Sequence, residues 1–492
     1  MLKKTKIVST LGPSSNNSKT LKKMIKKGVN VFRFNFSHGT HSTHSENLEL
    51  VKDASKTLNT VVGTLQDICG PKVRVLAFEN DSITLKEGDF LYLSKEENDI
   101  SSTNGESFED GRKIYLNNPK VLKNVQVNEK VYFADGAIHT ETVEVTNSYI
   151  KLLIKNKSVL KSNKGVNFPN TFIDIDVLTE KDIIDIEWGI KNEVSFIAIS
   201  FVQNANDILK AKKIISEFMV KHNKTYPPKI IAKIEKFDAV ENIDEILEVT
   251  DGIMVARGDL GIEIPYYKVP IVQKNIIKKS NLLGKPVIVA TQMMLSMVDN
   301  EMATRAEISD VSNAVLDGAD ALMLSEESAV GKHPAKVVEA LTNTIRETEL
   351  NMYNFAGIHN IDDDVEAVTH GAVNIAHGMK CNAIINFTSA GNTTRKISKY
   401  KPSMPIYSIA HHKYIARQLT LSWGVEVIDV YKKDETHSLI VKFIKNGIDS
   451  GLLSYEGKYL VTAGYPSGIE GNINFIRTLS KNDIEFFYNQ GV

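Results

Sequence analysis

Short apolar runs alternate with stretches of helical periodicity through the first two-thirds of this chain, and few folds are open to such an alternation. Runs at 6–11, 31–36, 61–66, 196–201, 230–234, 252–256, 287–291 and 321–324 have the length of buried strands. Helical patterns follow most of them, most clearly at 205–222, 239–249, 269–283, 306–316 and 334–347. Strand and helix in strict turn build a parallel sheet. Eight such units over roughly 250 residues are what a closed (β/α)8 barrel requires.

The rhythm stops once, between the third and fourth runs. From 71 to 169 the chain instead offers short strand-like segments at 73–78, 82–85, 90–93, 130–133, 139–145 and 149–154, divided by Gly, Asn and Asp turns. Loops of that length without structure are uncommon, so the segment predicts a small β-barrel domain inserted after strand three, placed to act as a lid. The catalytic barrel then comprises 1–70 and 170–350. Past residue 355 the alternation resumes, with strands at 383–387, 405–409, 425–430 and 459–462 and helices at 365–377 and 414–419. This predicts a C-terminal α/β domain over 355–492, joined by a weakly patterned linker at 352–364.

Composition narrows the function. The 59 basic and 60 acidic residues nearly cancel, so no global field draws in nucleic acid, and any anion must be held by a local cluster. Cys69 and Cys381 are the only cysteines; without a C-x-x-C pair neither zinc nor a disulfide framework is signalled. No window approaches the ~18 apolar residues of a membrane span, and no secretory leader opens the sequence. A soluble, cytoplasmic protein is expected.

A barrel enzyme carries its chemistry on the C-terminal ends of its strands. In Phe32-Arg33-Phe34-Asn35-Phe36-Ser37-His38, alternation puts Arg33, Asn35 and Ser37 on one face and the phenylalanines on the other. An inward arginine needs an anionic partner. The third run ends at Asp67, the fifth in Lys233-Ile234-Glu235, the sixth in Arg257-Gly258-Asp259, the seventh in Thr291-Gln292 and the eighth in Ser325-Glu326. Strand ends are often polar, but four charged groups, Arg33, Lys233, Glu235 and Asp259, on one rim imply a site. Two carboxylates suffice for Mg2+, which fills its remaining positions with water and substrate oxygens. Cations around a metal-bound phosphate, here Arg33, Lys233, Arg74 and Lys181, form the apparatus of phosphoryl transfer. No Walker A pattern is present.

These segments resemble the pyruvate kinase family, a TIM-barrel family, from about Lys3 to the C-terminus. The resemblance is carried by Thr5-Lys6-Ile7-Val8 through Leu11-Gly12-Pro13-Ser14-Ser15, Arg33-Phe34-Asn35-Phe36-Ser37-His38-Gly39, Ile231-Ala232-Lys233-Ile234-Glu235, Val255-Ala256-Arg257-Gly258-Asp259-Leu260-Gly261, Thr291-Gln292-Met293 and Thr304-Arg305-Ala306-Glu307. It implies transfer of a phosphoryl group from phosphoenolpyruvate to ADP, giving pyruvate and ATP. It implies Mg2+ on Glu235 and Asp259, and a second Mg2+ entering with the nucleotide. Lys233 and Arg33 would take the phosphoryl group, amides at Gly258 and Asp259 the carboxylate, and Thr291 the protonation step. Asn35, His38, Arg74 and Lys181 match nucleotide-side positions, and Asn35, Ser37, Asp67 and Ile68 match a monovalent-cation ring. A homotetramer is expected on the same ground.

The chain departs from the family in places. It reads Asp67-Ile68-Cys69-Gly70-Pro71-Lys72-Val73-Arg74 where Asp-Thr-Lys-Gly-Pro-Glu-Ile-Arg is common. Members with lysine where Lys72 stands are similar to those that need no K+. An ammonium there can supply the charge K+ otherwise brings, so activity without K+ is expected. Cys69 reads as a packing residue; Leu295 replaces a common glutamate and Glu326 a common small residue. In the C-terminal domain, Thr388-Ser389-Ala390-Gly391-Asn392-Thr393-Thr394 leads into a helix, geometry that suits a phosphate. By resemblance it would hold a sugar-phosphate or AMP effector; the plainer reading is a helix cap. Two rivals remain at this point: a phosphoenolpyruvate-dependent aldolase or mutase, and a catalytically silent sugar-phosphate sensor.

Overall fold

Eight parallel strands close on themselves in the computed structural model, which describes residues 3–96, 104–169, 171–173, 175–351, 361, 363–431, 434–464 and 473–490. They are β1 (Lys6–Thr10), β2 (Val31–Asn35), β3 (Gly63–Asp67), β4 (Phe196–Ile199), β5 (Lys229–Ile234), β6 (Gly252–Ala256), β7 (Val287–Ala290) and β8 (Ala321–Leu324). Each pairs with the next and β8 returns to β1. All eight lie within two residues of the expected bounds. Alternation sorts their side chains. One parity, including Val8, Val31, Leu65, Ile231, Met254 and Ile288, fills the interior; the other, including Ile7, Phe32, Phe34, Ile197 and Ile253, packs under the surrounding helices.

The helices start where the sequence supplies caps. Thr40, Thr179 and Thr304 each close a capping box with the residue three places on, at His41–Thr57, Glu180–Lys191 and Arg305–Leu316. The helix expected at 239–249 is instead two, Phe237–Glu241 and Ile243–Val249, broken at Asn242, whose side-chain amide donates to Gln203 O. Among the described residues no helix is long and apolar enough to cross a membrane.

The chain leaves the barrel after β3 and returns before Glu180–Lys191. The small barrel expected there takes the form of a seven-stranded sheet, ordered Val166–Asn167, Lys130–Phe133, Ile138–Val145, Tyr149–Ile154, Phe90–Ser94, Gly111–Ile114 and Ser107–Phe108, with a two-stranded sheet of Ser82–Leu85 and Ser158–Lys161. It has its own core, around Leu91, Leu93, Val131, Phe133, Ile150 and Leu152. Residues 73–78 do not form the expected strand; only single bridges occur, at Arg74 and Val75. Their donors are dispersed, Arg74 N to Asn117 Oδ1 and Phe78 N to Ser162 Oγ, so no ladder can run.

The C-terminal sheet is ordered Val425–Val430, Ile406–Ala410, Ala383–Thr388, Tyr459–Ala463 and Phe475–Leu479. The first four are parallel; the last, which carries little apolar pattern, is antiparallel. Most of the expected linker at 352–364 lies outside the described residues. This domain closes the barrel's N-terminal end: Leu421 is fully buried among the interior side chains, and Gly424 N donates to Lys4 O. Burial of one leucine contributes roughly 1.5–3 kcal/mol. The opposite, C-terminal end is left for a site.

Candidate active site

β2 and β5 place Arg33 and Lys233 on the inward parity, above Val31 and Ile231. Between them stands Asp67, at the end of β3. Arg33 Nε reaches Asp67 Oδ2 at 2.7 Å and Lys233 Nζ reaches Asp67 Oδ1 at 3.1 Å. Lys233 also pairs with Glu235 Oε1 at 2.8 Å and donates to Ser200 Oγ at 2.8 Å. Arg33 Nη1 donates to Thr10 Oγ1 at 3.0 Å. All four charges are nearly out of solvent, the side chains of Asp67 and Glu235 being 2% exposed.

Burial disfavours each charge, and the neighbours decide the outcome. Burial alone would raise Asp67, but the charges of Lys233 and Arg33 prevail and hold its carboxyl below the usual range. Burial alone would lower Lys233, but Asp67 and Glu235 outweigh it and push the amine up. Glu235 goes the other way. Burial, joined by the charge of Asp259 and opposed by Lys233, pushes its carboxyl up. A buried carboxylate that one lysine does not fully offset, within electrostatic reach of a second carboxylate, is a pair that fits a divalent cation. Among the described residues no group of three or more His, Cys, Asp or Glu gathers for a metal.

Asp259 lies on the short helix Arg257–Glu263 that opens where β6 ends. Gly258 N donates to Thr291 Oγ1 at 2.8 Å. Thr291 has φ 71° and Gln292 φ 53°, a left-handed backbone that a β-branched residue adopts only under constraint. Arg257 supplies the constraint, with Nη2 on Thr291 O at 2.8 Å and Nη1 on Asp310 at 2.8 Å. Phe201, at φ 57°, turns its amide onto Glu235 Oε2 at 2.8 Å.

The nucleotide and cation positions are brought together in part. Asn35 and Asp67 are ladder partners, Asn35 Oδ1 accepts from Ser37 N, and Ile68 O accepts from Ser200 Oγ. Lys181 Nζ donates to Phe36 O at 2.8 Å, beside Asn35 and exposed His38. Arg74 is attached to the inserted domain, Nη1 to Asn163 O at 3.0 Å. Lys72 pairs there too, with Asp135 Oδ1 at 3.3 Å. In the C-terminal loop, Gly391 N donates to Thr388 Oγ1, and Thr394 is buried in a hydroxyl network with Asn386 and Ser408. Ser389, Asn392 and Thr393 keep solvent exposure.

Thr10, Ser200 and the Phe201 amide touch these charged groups and were not singled out from the sequence, although Thr10 is the inward residue at the end of β1. Arg257 was visible at the end of the sixth run, but its hold on Thr291 O was not.

The profile of the family described as "Pyruvate kinase, barrel domain" matches residues 2–338, and that of "Pyruvate kinase, alpha/beta domain" matches 366–479. The chain is 38% identical to a protein named pyruvate kinase from Geobacillus stearothermophilus, over 98% of this chain and 81% of that one. It is 37% identical to one of the same name from Bacillus licheniformis, with the same coverage. A crystal structure of a pyruvate kinase from Cryptosporidium parvum superposes with a TM-score of 0.89 at 34% identity, covering 97% of this chain and 96% of that one.

Proposed function

The chain belongs to the pyruvate kinase family, and from that premise we propose how its own residues carry out the glycolytic transfer of a phosphoryl group from phosphoenolpyruvate to ADP. It is an enzyme, a phosphotransferase. The observation that carries the residue assignment is the buried quartet Arg33, Asp67, Lys233 and Glu235 at the C-terminal ends of the strands.

Arg33 and Lys233 receive the phosphoryl group, trading part of their hold on Asp67 for its oxygens. Their charge is fixed before substrate arrives, so little reorganisation is needed as charge shifts in transfer. Glu235 and Asp259 would hold one Mg2+, and a second would enter with the nucleotide. Bound there, the ion would supply positive charge to the phosphate oxygens. The amides of Gly258 and Asp259 bind the substrate carboxylate. Gly258 N–H is engaged by Thr291 Oγ1, whose own proton is held by Ala290 O at 2.5 Å; a carboxylate that takes that N–H frees a lone pair on the threonine oxygen, which can then accept from a water through which a solvent proton reaches the product carbon. Asn35, His38, Lys181 and Arg74 bind ADP, Arg74 being carried in by the inserted domain as it closes and excludes water.

Lys72 supports turnover without K+. Its pair with Asp135 is partly exposed, and such pairs contribute only about 0–1 kcal/mol. Lys72 can therefore leave it for the ring of Asn35, Ser37, Asp67 and Ile68. Ser389, Gly391, Asn392 and Thr393 offer a phosphate site for a sugar-phosphate or AMP effector, with Thr388 and Thr394 holding the loop from within. A homotetramer is expected from the family, and Tyr266 and Tyr267, edge to face and exposed, are large apolar side chains that association would cover. A cytoplasmic location completes the reading.

The test is initial rate with phosphoenolpyruvate and ADP, with and without Mg2+, in K+ or tetramethylammonium. ATP should form only with the divalent ion, and about equally in either salt. A large rise in K+ removes the role of Lys72, and absence of ATP removes the assignment.

A further inference from the structure

Asp185 sits on Glu180–Lys191, one turn beyond Lys181, with its side chain 3% exposed. A buried carboxylate is costly unless paired, and Asp185 has gathered two partners from two elements. Lys181 Nζ reaches Oδ2 at 2.6 Å. His41 Nε2, from the first residue of His41–Thr57, reaches Oδ1 at 2.7 Å and donates to it. Helix spacing alone does not account for the first pair, because lysine four residues before an acid is the weaker order. Lys181 is itself 57% exposed, so an unassisted side chain would wander through many rotamers. Instead its amine is fixed at two points, by Asp185 and by Phe36 O at 2.8 Å. Phe36 belongs to the loop of Asn35 and His38, and its ring stacks on His44 at 4.1 Å. The backbone carbonyl of Asp185 is fixed too, accepting from Gln66 Nε2 at 2.6 Å one residue before Asp67.

We propose that Asp185 is a positioning residue for the nucleotide, holding the Lys181 ammonium over the loop 35–38 so that it meets the ADP phosphates with its direction already set. This rests on the reading of Lys181 as a nucleotide-side residue. His41 is the second anchor, keeping the carboxylate in place when Lys181 turns part of its hydrogen bonding to the ligand.

Asp185→Asn keeps the shape and removes the charge. The expected result is a rise in KM for ADP of about tenfold, the size of losing one charge-assisted hydrogen bond, with KM for phosphoenolpyruvate and kcat within about twofold. Lys181→Ala should raise KM for ADP at least as much, and the double variant should be no worse than Lys181→Ala alone, because the two act as one unit. Asp185→Glu, which restores the charge, should recover part of the loss. The proposal is overturned if Lys181→Ala raises KM for ADP while Asp185→Asn does not, or if the two effects simply multiply. If Lys181→Ala leaves KM for ADP unchanged, the nucleotide-side reading itself is wrong. Should Asp185→Asn fold poorly, His41→Ala gives the same contrast from the other anchor: a smaller rise confined to ADP supports the proposal, and an equal loss for both substrates sinks it.

Discussion

A lysine amine removed from water must either release its proton or collect carboxylates, and this chain does both. Lys233 collects Asp67 and Glu235 and stays charged. Lys3 lies under the barrel with neutral partners, Asn30 Oδ1 and Thr5 O, and burial pushes its amine from 10.5 down to about 7, helped by the charge of Lys6. Between those values the unfolded chain keeps a proton that the folded one has released, so stability should rise with pH through that window. Thermal and denaturant melts of the wild type and Lys3→Met from pH 7 to 9 should show the wild type gaining relative to the variant, by on the order of 1 kcal/mol per pH unit. Asn30 Oδ1 still accepts from Ile7 N in the variant; parallel curves would show that Lys3 is protonated in the fold. The inward lysine and arginine of the active site were legible because period-two alternation assigns a face to Arg33 and Lys233. The link through Asp67 was not, since pairing across β2, β3 and β5 is a property of closure. The backbone donor on Glu235 was also hidden: an amide leaves no mark in a sequence, and Phe201 looks like any core aromatic.

At the scale of elements, the two crossings between barrel and inserted domain matter most. Gly70, on the outgoing crossing, has φ 69°, and a Cβ there would lie 2.8 Å from Phe201 Cδ2 and 3.0 Å from Ser200 Cβ. Phe201 holds Glu235 by its amide and Ser200 holds Lys233 by its hydroxyl. Gly70→Ala should therefore cost about 1–3 kcal/mol of stability from backbone strain and crowding, and should also weaken Mg2+ binding and lower kcat. Isothermal titration with Mg2+ alongside a urea melt would check it; a stability loss with unchanged Mg2+ affinity would break the proposed link. Elements whose hydrogen bonds run in ladders were readable, all eight barrel strands among them. Residues 73–78 looked equally strand-like, yet their donors go to Asn117 and Ser162, contacts about 40 and 80 residues distant that no local pattern encodes.

At the scale of the molecule, the barrel and C-terminal domain share one apolar interior at Leu421. Buried polar ties flank it, Lys6 to Val425 O and Glu426, and Lys401 to Asp320. Leu421→Ala should cost about 2–5 kcal/mol, the usual penalty for a core leucine replaced by alanine, while kcat per folded molecule stays within about twofold, because the proposed site lies at the other end of the strands. Urea denaturation followed by steady-state assay of the same sample would separate the two. The sequence announced a second α/β domain but not its docking, because Leu421 in Leu419-Thr420-Leu421-Ser422 has no periodicity to show which core it joins.

Leu421 makes the C-terminal domain the cork of the barrel. Cut away at the connecting segment, the catalytic half would be left as an uncorked bottle, its greasy throat open to water. Such a fragment would clump or be digested before it could turn over, so the fold's survival rests on the same piece of chain that carries the proposed effector loop.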